Sequence, residues 1–181
     1  MICGIDEVGR GCIFGPVLSA AVIFKGKPNF LGELDDSKKL KKSKRDYLSS
    51  LILENSYHAF AEISNEIIEK INIHNASLLA MQTAYEKLNI FCDLVLIDGK
   101  FIPKIKAKKI KAIIKGDSII NEIKAASIIA KVQRDKLMDE YDQIYPLYAF
   151  KKNKGYPTKE HKDAIKKHGI LSLHRKSFKL I

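Results

Sequence analysis

The chain has 181 residues, of which 46% are hydrophobic, and 32 lysines and arginines against 21 aspartates and glutamates give a formal net charge of +11. This length and composition predict one domain with a substantial core. No apolar stretch reaches the roughly 20 residues that a membrane helix needs, which argues against an integral membrane protein. The chain does not start with a basic region followed by an apolar run, so we expect a cytoplasmic protein.

The positive charge is concentrated in four blocks, at residues 38–45, 100–115, 151–154 and 166–179. Several basic blocks on one compact domain indicate a polyanionic partner, and nucleic acid more than a membrane surface. A merely solvated face is the alternative for any single block. Cys3, Cys12 and Cys92 have no metal-ligand spacing and are predicted to be reduced, mostly buried thiols.

The N-terminal segment combines an apolar strand, two adjacent acids and a glycine-rich loop. A strand is predicted at residues 2–6, and Glu7 and the tripeptide Gly9, Arg10 and Gly11 follow it. Adjacent carboxylates raise each other's pKa, whereas a divalent cation with oxygen ligands would stabilise both charges. A charged hairpin turn with a solvated acid pair explains this segment equally well.

The rest of the chain alternates between strand-like and helix-like patterns, which predicts an α/β protein. Further strands are predicted at 17–24, 57–63, 94–98 and 109–114. Helices are predicted at 43–53, 66–71, from 75 or 77 to 88, from about 118 to 141, and at 159–167. The predicted N-caps are Ser43 for the first helix, Asn75 or Ser77 for the third, and Asp117 or Ser118 for the long fourth helix.

Two further acids lie next to predicted strand ends. Asp98 and Gly99 follow a continuous apolar run typical of a central strand, and open α/β sheets bind ligands at the carboxyl ends of their strands. An ordinary Asp-Gly turn is the alternative for Asp98, and a helix cap is the alternative for Asp117. Arg134 and Asp135, in the long helix, are predicted to form a solvated or paired surface element.

A loop near the C-terminus has the composition of a nucleic-acid contact. Residues 151–158 interleave lysines with Tyr156, and such cations meet phosphates while the ring stacks on a sugar or base. Tyr156 as a core residue is the alternative, but Gly155 and Pro157 favour a loop.

Eight short motifs are spread over nearly the whole chain: GIDEVGRGCIFGPV, DDSKKL, IHNASLLAMQTA, LVLIDG, KGDS, AASIIAKVQRD, KGYPT and HRKSF. In this order they resemble bacterial type 2 ribonuclease H, the ribonuclease HII family. The resemblance implies the ribonuclease H-like fold, a central mixed five-stranded sheet flanked by helices, with additional C-terminal helices. It also implies a single catalytic domain over residues 1–181, in which residues from about 145 onward form a C-terminal substrate-contacting extension.

The resemblance implies a metal-dependent endonuclease. Members of the ribonuclease HII family hydrolyse the RNA strand of RNA–DNA hybrids and cut on the 5′ side of single ribonucleotides embedded in duplex DNA, leaving 5′-phosphate and 3′-hydroxyl ends. The expected cofactor is Mn²⁺ or Mg²⁺, the expected partners are hybrid and ribonucleotide-containing duplex, and we expect a monomer. A DNA-directed nuclease of the same fold and a non-catalytic nucleic-acid-binding module remain as alternatives.

The resemblance also assigns roles to individual residues. The catalytic acids that hold the metal are expected to be Asp6, Glu7, Asp98 and Asp117. The tripeptide that senses the 2′-hydroxyl corresponds to Gly9, Arg10 and Gly11, and the tyrosine that packs on the following sugar corresponds to Tyr156. The residues expected to contact phosphates or support the site are Lys38, Lys39, Ser127, Lys131, His174 and Arg175.

Two features of the first motif need a structural explanation. Successive side chains of a strand point to opposite faces, so Asp6 and Glu7 should not meet on a regular strand. We therefore expect the strand to end or twist here, or Glu7 to bind from the side, partly through its backbone oxygen. Ile13 and Phe14 are bulky where the family often has small residues.

Overall fold

The computed structural model describes all 181 residues and contains one mixed five-stranded sheet with helices on both faces. The strands are β1 (Ile2–Val8), β2 (Val17–Phe24), β3 (Ser56–Ile63), β4 (Leu94–Asp98) and β5 (Ile110–Ile113), in the spatial order β3-β2-β1-β4-β5. The pairs β1–β2 and β2–β3 are antiparallel, whereas β1–β4 and β4–β5 are parallel. This confirms the predicted fold class.

Five α-helices surround the sheet: α1 (Lys42–Glu54), α2 (Asn65–Leu88), α3 (Asn121–Ile144), α4 (Phe150–Asn153) and α5 (Lys159–His168). Helices α1 and α3 share one apolar cluster with β2, while α2 packs on the opposite sheet face with β1 and β4. Alternate residues of β2 contribute to the two clusters, as the two-residue period of a strand requires. None of the helices is both long and apolar enough to cross a bilayer.

Three predicted helix starts were wrong. Helix α1 begins after Lys41, which provides no side-chain cap, and not at Ser43. Helix α3 begins after Ile120, and Asp117 and Ser118 instead belong to a separate 3-10 turn, Gly116–Ser118. The Asp117 side chain is therefore not used as a cap, which leaves it available to the cleft described below.

The third wrong start lies inside α2, which combines the two helices predicted separately in this region. Asn72 interrupts it with φ 64° and ψ 165°. Its Oδ1 accepts a hydrogen bond from the Asn75 N–H at 3.1 Å, so Asn72 acts as the local cap in place of Asn75 or Ser77. Asparagine suits this position because its short side chain bonds nearby backbone groups and tolerates positive φ. Ser64 caps the start of α2, where its side chain accepts from the Ile67 N–H.

Gly4 allows α3 to cross β1 at very short range. A Cβ at this position would lie 2.1 Å from the carbonyl carbon of Glu122, so only glycine fits. Next to this crossing, α3 presents small buried side chains, including Ala125, Ala126 and Ala130. The close approach places the middle of α3 beside the C-terminal half of β1, where the acids lie.

A third apolar cluster connects the loop after β1 to the C-terminal part of the chain. Ile13 and Phe14 are buried in it together with residues of α3, α5 and the segment between them. The Phe14 ring stacks on Phe150 with 3.9 Å between ring centroids. The two bulky residues therefore anchor the glycine-rich loop to the C-terminal region. All three cysteines are buried and free, as predicted.

Candidate active site

The four acids singled out in the sequence line one cleft of about 450 Å³. Asp6 and Glu7 lie near the carboxyl end of β1, Asp98 is the last residue of β4, and Asp117 lies in the turn that follows β5. We call this the acid cleft; its lining consists of Asp6, Glu7, Val8, Ser37, Lys38, Arg45, Asp98, Asp117, Ser127, Lys131 and Tyr156.

The strand β1 does not end at the acid pair. It continues to Val8, with Asp6 opposite Ala20 and Glu7 opposite Ser19 in the ladder with β2. The expectation that the strand ends here was therefore wrong. Ser19 donates its hydroxyl to the Asp6 backbone oxygen at 2.7 Å, which fixes the main chain at this point. Both carboxyl groups nevertheless line the acid cleft.

Burial and like charge together perturb the acids. Burial raises the pKa of Asp6 well above its usual range, and the charges of Glu7 and Asp98 raise it further. The Glu7 N–H, 2.7 Å from Asp6 Oδ1, offsets part of this shift. Burial also raises the pKa of Glu7 and of Asp98, and the charge of Asp117 adds to the shift at Asp98. The cleft thus disfavours full ionisation unless positive charge is supplied.

Protein cations neutralise the acids only partly. Arg10 Nη1 lies 3.3 Å from Glu7 Oε1, and Lys38 Nζ lies 3.8 Å from Asp117 Oδ2, both near solvent. The other carboxylate oxygen of Glu7, Oε2, is buried and has no hydrogen-bond partner. A buried acceptor without a partner is costly, and a cation would satisfy it.

An all-oxygen set of ligands fits a hard divalent cation such as Mg²⁺ or Mn²⁺. The acids supply carboxylate oxygens only, and no thiol or imidazole lines the acid cleft. No three His, Cys, Asp or Glu side chains are close enough to form a ready-made metal-binding cluster. Two observations therefore support a cation in the cleft: the ligands available are all oxygens, and Glu7 Oε2 is buried without a partner.

Polar side chains of α1, α3 and the segment before α1 also line the acid cleft. Ser127 Oγ and Ser37 Oγ are 3.0 Å apart, and Arg45 Nη1 donates to the Ser37 carbonyl at 3.0 Å. Asp135 pairs with Lys131 at 2.6 Å and with Arg45 at 3.4 Å. Asp135 is paired, as one alternative predicted, but it is buried and not on the surface.

The tripeptide and Tyr156 meet beside the cleft. Gly9 has φ +92°, and a Cβ there would lie 2.2 Å from Arg134 Nε, so the loop can take this path only with glycine. Gly11 is exposed, and a Cβ there would lie 3.7 Å from the Tyr156 ring. Tyr156 is 37% exposed and also lines the acid cleft, so the alternative that it is a core residue was wrong.

Two buried arginines support these loops from behind. Arg134 donates to the carbonyls of Lys154 at 2.8 Å and Phe14 at 3.0 Å. Arg175 donates to the carbonyls of Gly15 at 2.9 Å and Arg10 at 3.1 Å. The prediction of Arg134 as a surface residue was wrong, because only 1% of it is exposed. Its burial follows from the two carbonyls that its guanidinium satisfies.

The remaining predicted residues do not reach the cleft. Lys39 is exposed and pairs with Asp35 at 3.4 Å. His174 and Arg175 have no exposed surface, so neither can contact a phosphate in this conformation, and support of the site is the alternative that fits. Arg45 and Arg134 had no predicted role in the site. Arg134 follows Ser127 and Lys131 at helical spacing, and this pattern could have placed it on the buried face of α3.

Comparison with known proteins identifies the family. Residues 3–181 match the Ribonuclease HII family model. Ribonuclease HII of Borrelia hermsii is 87% identical over 181 residues, covering 100% of both chains. A chain of the PCNA–ribonuclease HII complex from Archaeoglobus fulgidus superposes with a TM-score of 0.83 at 24% identity, covering 100% of this chain and 96% of that one.

A second solved structure shares the fold. Bst-RNase HIII, in complex with Mn²⁺, superposes with a TM-score of 0.79 at 19% identity, covering 99% of this chain and 67% of that one. The two structural comparisons show the fold alone, whereas the family model and the full-length sequence identity show the family. The chain belongs to the ribonuclease HII family and is a ribonuclease H, an endonuclease.

Proposed function

We propose that the chain is a metal-dependent endonuclease that hydrolyses the RNA strand of RNA–DNA hybrids and cuts on the 5′ side of single ribonucleotides embedded in duplex DNA. The products would carry 5′-phosphate and 3′-hydroxyl ends. The observation that supports this most strongly is the meeting of four acids from three chain segments with Tyr156 at one cleft. Acids alone would repel a phosphodiester, so an acid cleft on a chain of net charge +11 suits nucleic acid only with cations at the acids.

The acids would hold Mg²⁺ or Mn²⁺ through carboxylate oxygens; they are Asp6, Glu7, Asp98 and Asp117. When bound, such ions would supply positive charge that activates water and stabilises the charge developing during an in-line displacement. The Ser127 hydroxyl and the Glu7 N–H favour the ionised form of Asp6, which is the form that binds a cation. Ser19 keeps this part of β1 in place by its bond to the Asp6 backbone oxygen.

Substrate selection would be the task of the neighbouring loops. The backbone of the tripeptide would contact the 2′-hydroxyl, the group that distinguishes RNA from DNA, mainly at the exposed Gly11, because Gly9 is buried and its carbonyl accepts from the Cys12 N–H at 3.3 Å. Arg10 and the cleft lysines, Lys38 and Lys131, would contact phosphates. Tyr156 would pack on the following sugar, so residues from about 145 onward would act as a substrate-contacting extension.

A cleavage assay on three substrates tests the proposal. These are an all-DNA duplex, the same duplex with one ribonucleotide, and an RNA–DNA hybrid, each incubated with Mg²⁺, Mn²⁺ or EDTA. We expect the two ribonucleotide-containing substrates to be cut only with a cation, with end-labelling showing 5′-phosphate and 3′-hydroxyl products. Equal cutting of all-DNA duplex would favour a DNA-directed nuclease, and cutting in EDTA would contradict the metal requirement.

The role of Tyr156 has a separate test. In Tyr156→Ala we expect a larger loss of kcat/KM on the single-ribonucleotide duplex, about tenfold or more, than on a long hybrid, because stacking of a ring on one nucleotide contributes about 1–3 kcal/mol. Tyr57→Ala is the matched control, since Tyr57 is 51% exposed on the edge strand β3 and does not line the cleft. Equal losses on both substrates would contradict the proposed packing of Tyr156 on the sugar that follows the ribonucleotide, which we call its junction role.

A further inference from the structure

Two histidines lie behind the Tyr156 loop, His161 in α5 and His174 in the C-terminal segment, and neither has exposed surface. Their Nε2 atoms are 3.1 Å apart. Nδ1 of His161 is 2.8 Å from the Tyr156 carbonyl oxygen, and Nδ1 of His174 is 2.9 Å from the Leu171 backbone nitrogen. Every ring nitrogen of the pair therefore has one partner.

These partners allow only one arrangement of protons. A carbonyl oxygen can only accept, so His161 carries its proton on Nδ1. The Leu171 N–H donates, so Nδ1 of His174 is bare and its proton is on Nε2. The His174 Nε2–H then donates to His161 Nε2. Hydrogen bonds run in one direction, from Leu171 through His174 and His161 to Tyr156.

The chain of hydrogen bonds requires both rings to be neutral. An extra proton on His161 would place two N–H groups face to face, and an extra proton on His174 would oppose the Leu171 N–H. Burial lowers the pKa of both histidines, and burial together with the charge of His161 lowers that of His174 to about 4. Both rings are therefore neutral at neutral pH, as the geometry demands.

Hydrogen bonds connect the Tyr156 segment to the glycine-rich loop on two sides, through His174 and through Gly155. The His174 backbone forms an isolated antiparallel bridge with Phe14, and the Gly15 N–H donates to the Leu173 carbonyl at 3.0 Å. On the other side, the Ile13 N–H donates to the Gly155 carbonyl at 2.9 Å. The backbone of Tyr156 is thus fixed relative to the loop that carries Gly11.

We propose that His161 and His174 are positioning residues that hold Tyr156 at a set distance from Gly11 and thereby determine the preference for a single embedded ribonucleotide over a long hybrid. This inference rests on the junction role proposed for Tyr156. Both rings are buried, so they act through Tyr156 and do not touch the substrate. A single ribonucleotide offers only one productive register, whereas a hybrid offers many, so misplacement of the ring harms the first substrate more.

Variants of His161 separate this role from general stability. His161→Leu removes one of the two donors to the Tyr156 carbonyl and leaves the Thr158 N–H at 2.8 Å, whereas His161→Asn places an N–H close to the position of Nδ1. Ile165→Ala is the matched control, because Ile165 is 2% exposed one turn later in α5 and lies outside the hydrogen-bond chain. The readout is the ratio of kcat/KM on the single-ribonucleotide duplex to kcat/KM on the hybrid.

We expect His161→Leu to lower this ratio about 10-fold or more, since small misplacements near a reacting centre have effects of this size. His161→Asn should keep the ratio close to that of the unmodified protein. Ile165→Ala should lower the Tm but leave the ratio unchanged. An unchanged ratio in His161→Leu would overturn the positioning role. If Tyr156→Ala also leaves the ratio unchanged, the junction role of Tyr156 fails as well, so the two failures are distinguishable.

Nitrogen-15 NMR of the two histidine rings tests the same inference on the unmodified protein, including the case in which a variant does not fold. The expected result is a neutral Nδ1–H tautomer for His161 and a neutral Nε2–H tautomer for His174 at pH 7. Any other pair of tautomers, or a charged ring, would overturn the one-way hydrogen-bond chain.

Discussion

The acid cleft and the loops beside it bury charges of opposite sign. The cleft collects carboxyl groups whose pKa values are raised by burial and by one another. The adjacent loop junction, made of residues 9–15, 154–156 and 173–175, instead rests on two buried cations. Arg134 and Arg175 donate there to backbone carbonyls and have no carboxylate partner.

This difference separates chemistry from positioning. In the cleft, like charges oppose folding, and one buried Glu7 oxygen has no partner. In the loop junction, hydrogen bonds connect segments more than 100 residues apart, such as Arg134 to Phe14, although Arg134 Nε and Arg175 Nη2 have no partner. The comparison indicates that substitutions in the cleft mainly reduce activity, whereas substitutions in the junction mainly reduce stability or substrate selection.

The largest expected effect is on activity in the cleft. Asp6→Asn removes a proposed metal ligand, and we expect cleavage to fall by about 10²–10⁴-fold. The Tm should stay equal or rise, because the substitution also removes a buried charge repelled by Glu7 and Asp98. Substrate binding should survive the substitution. Cleavage assays with Mg²⁺, binding assays on uncut substrate and thermal melts measure the three outcomes. Full activity of Asp6→Asn would contradict the mechanism.

The next largest effect is on stability at the loop junction. Arg134→Met keeps much of the side-chain volume but leaves the carbonyls of Phe14 and Lys154 without their donor. We expect the free energy of unfolding to fall by about 2–4 kcal/mol. Lys136→Met, at an exposed position of the same helix, should change it by less than about 0.5 kcal/mol. Equal denaturation midpoints for the two variants would show that the buried arginine is not a structural support.

The smallest effect concerns pH and the buried histidines. The pKa of His174 is about 4 in the folded protein against 6.5 for an ordinary histidine, so the unfolded chain binds the proton more readily. Stability attributable to His174 is therefore complete above about pH 6.5 and is lost as the pH falls toward 4. Between pH 7 and 5 we expect the unmodified protein to lose about 1–2 kcal/mol more than His174→Asn.

Urea denaturation of both proteins at each pH measures this difference. The acids of the cleft, whose pKa values are raised, have the opposite dependence on pH, but they are present in both proteins and cancel in the comparison. Parallel stability curves for the two proteins would contradict the neutral buried pair.

Much of the fold follows from local patterns in the sequence. The bounds of β2 were predicted at 17–24, as found, because a run of small and β-branched residues between turn residues is a local signal. The apolar run before Asp98 likewise predicted the buried strand β4. The residue types of the acids and their positions at strand ends were also visible, and the ordered motifs predicted the family that the comparisons confirm.

The tertiary structure alone decided which residues meet. It placed adjacent Asp6 and Glu7 at one cleft although β1 continues past both, and it buried Arg134 and Arg175, whose partners lie far away along the chain. Sequence periodicity reports the face of an element but not what covers that face. Polar residues are buried only when distant donors and acceptors satisfy them, and those partners become known only when the chain is folded.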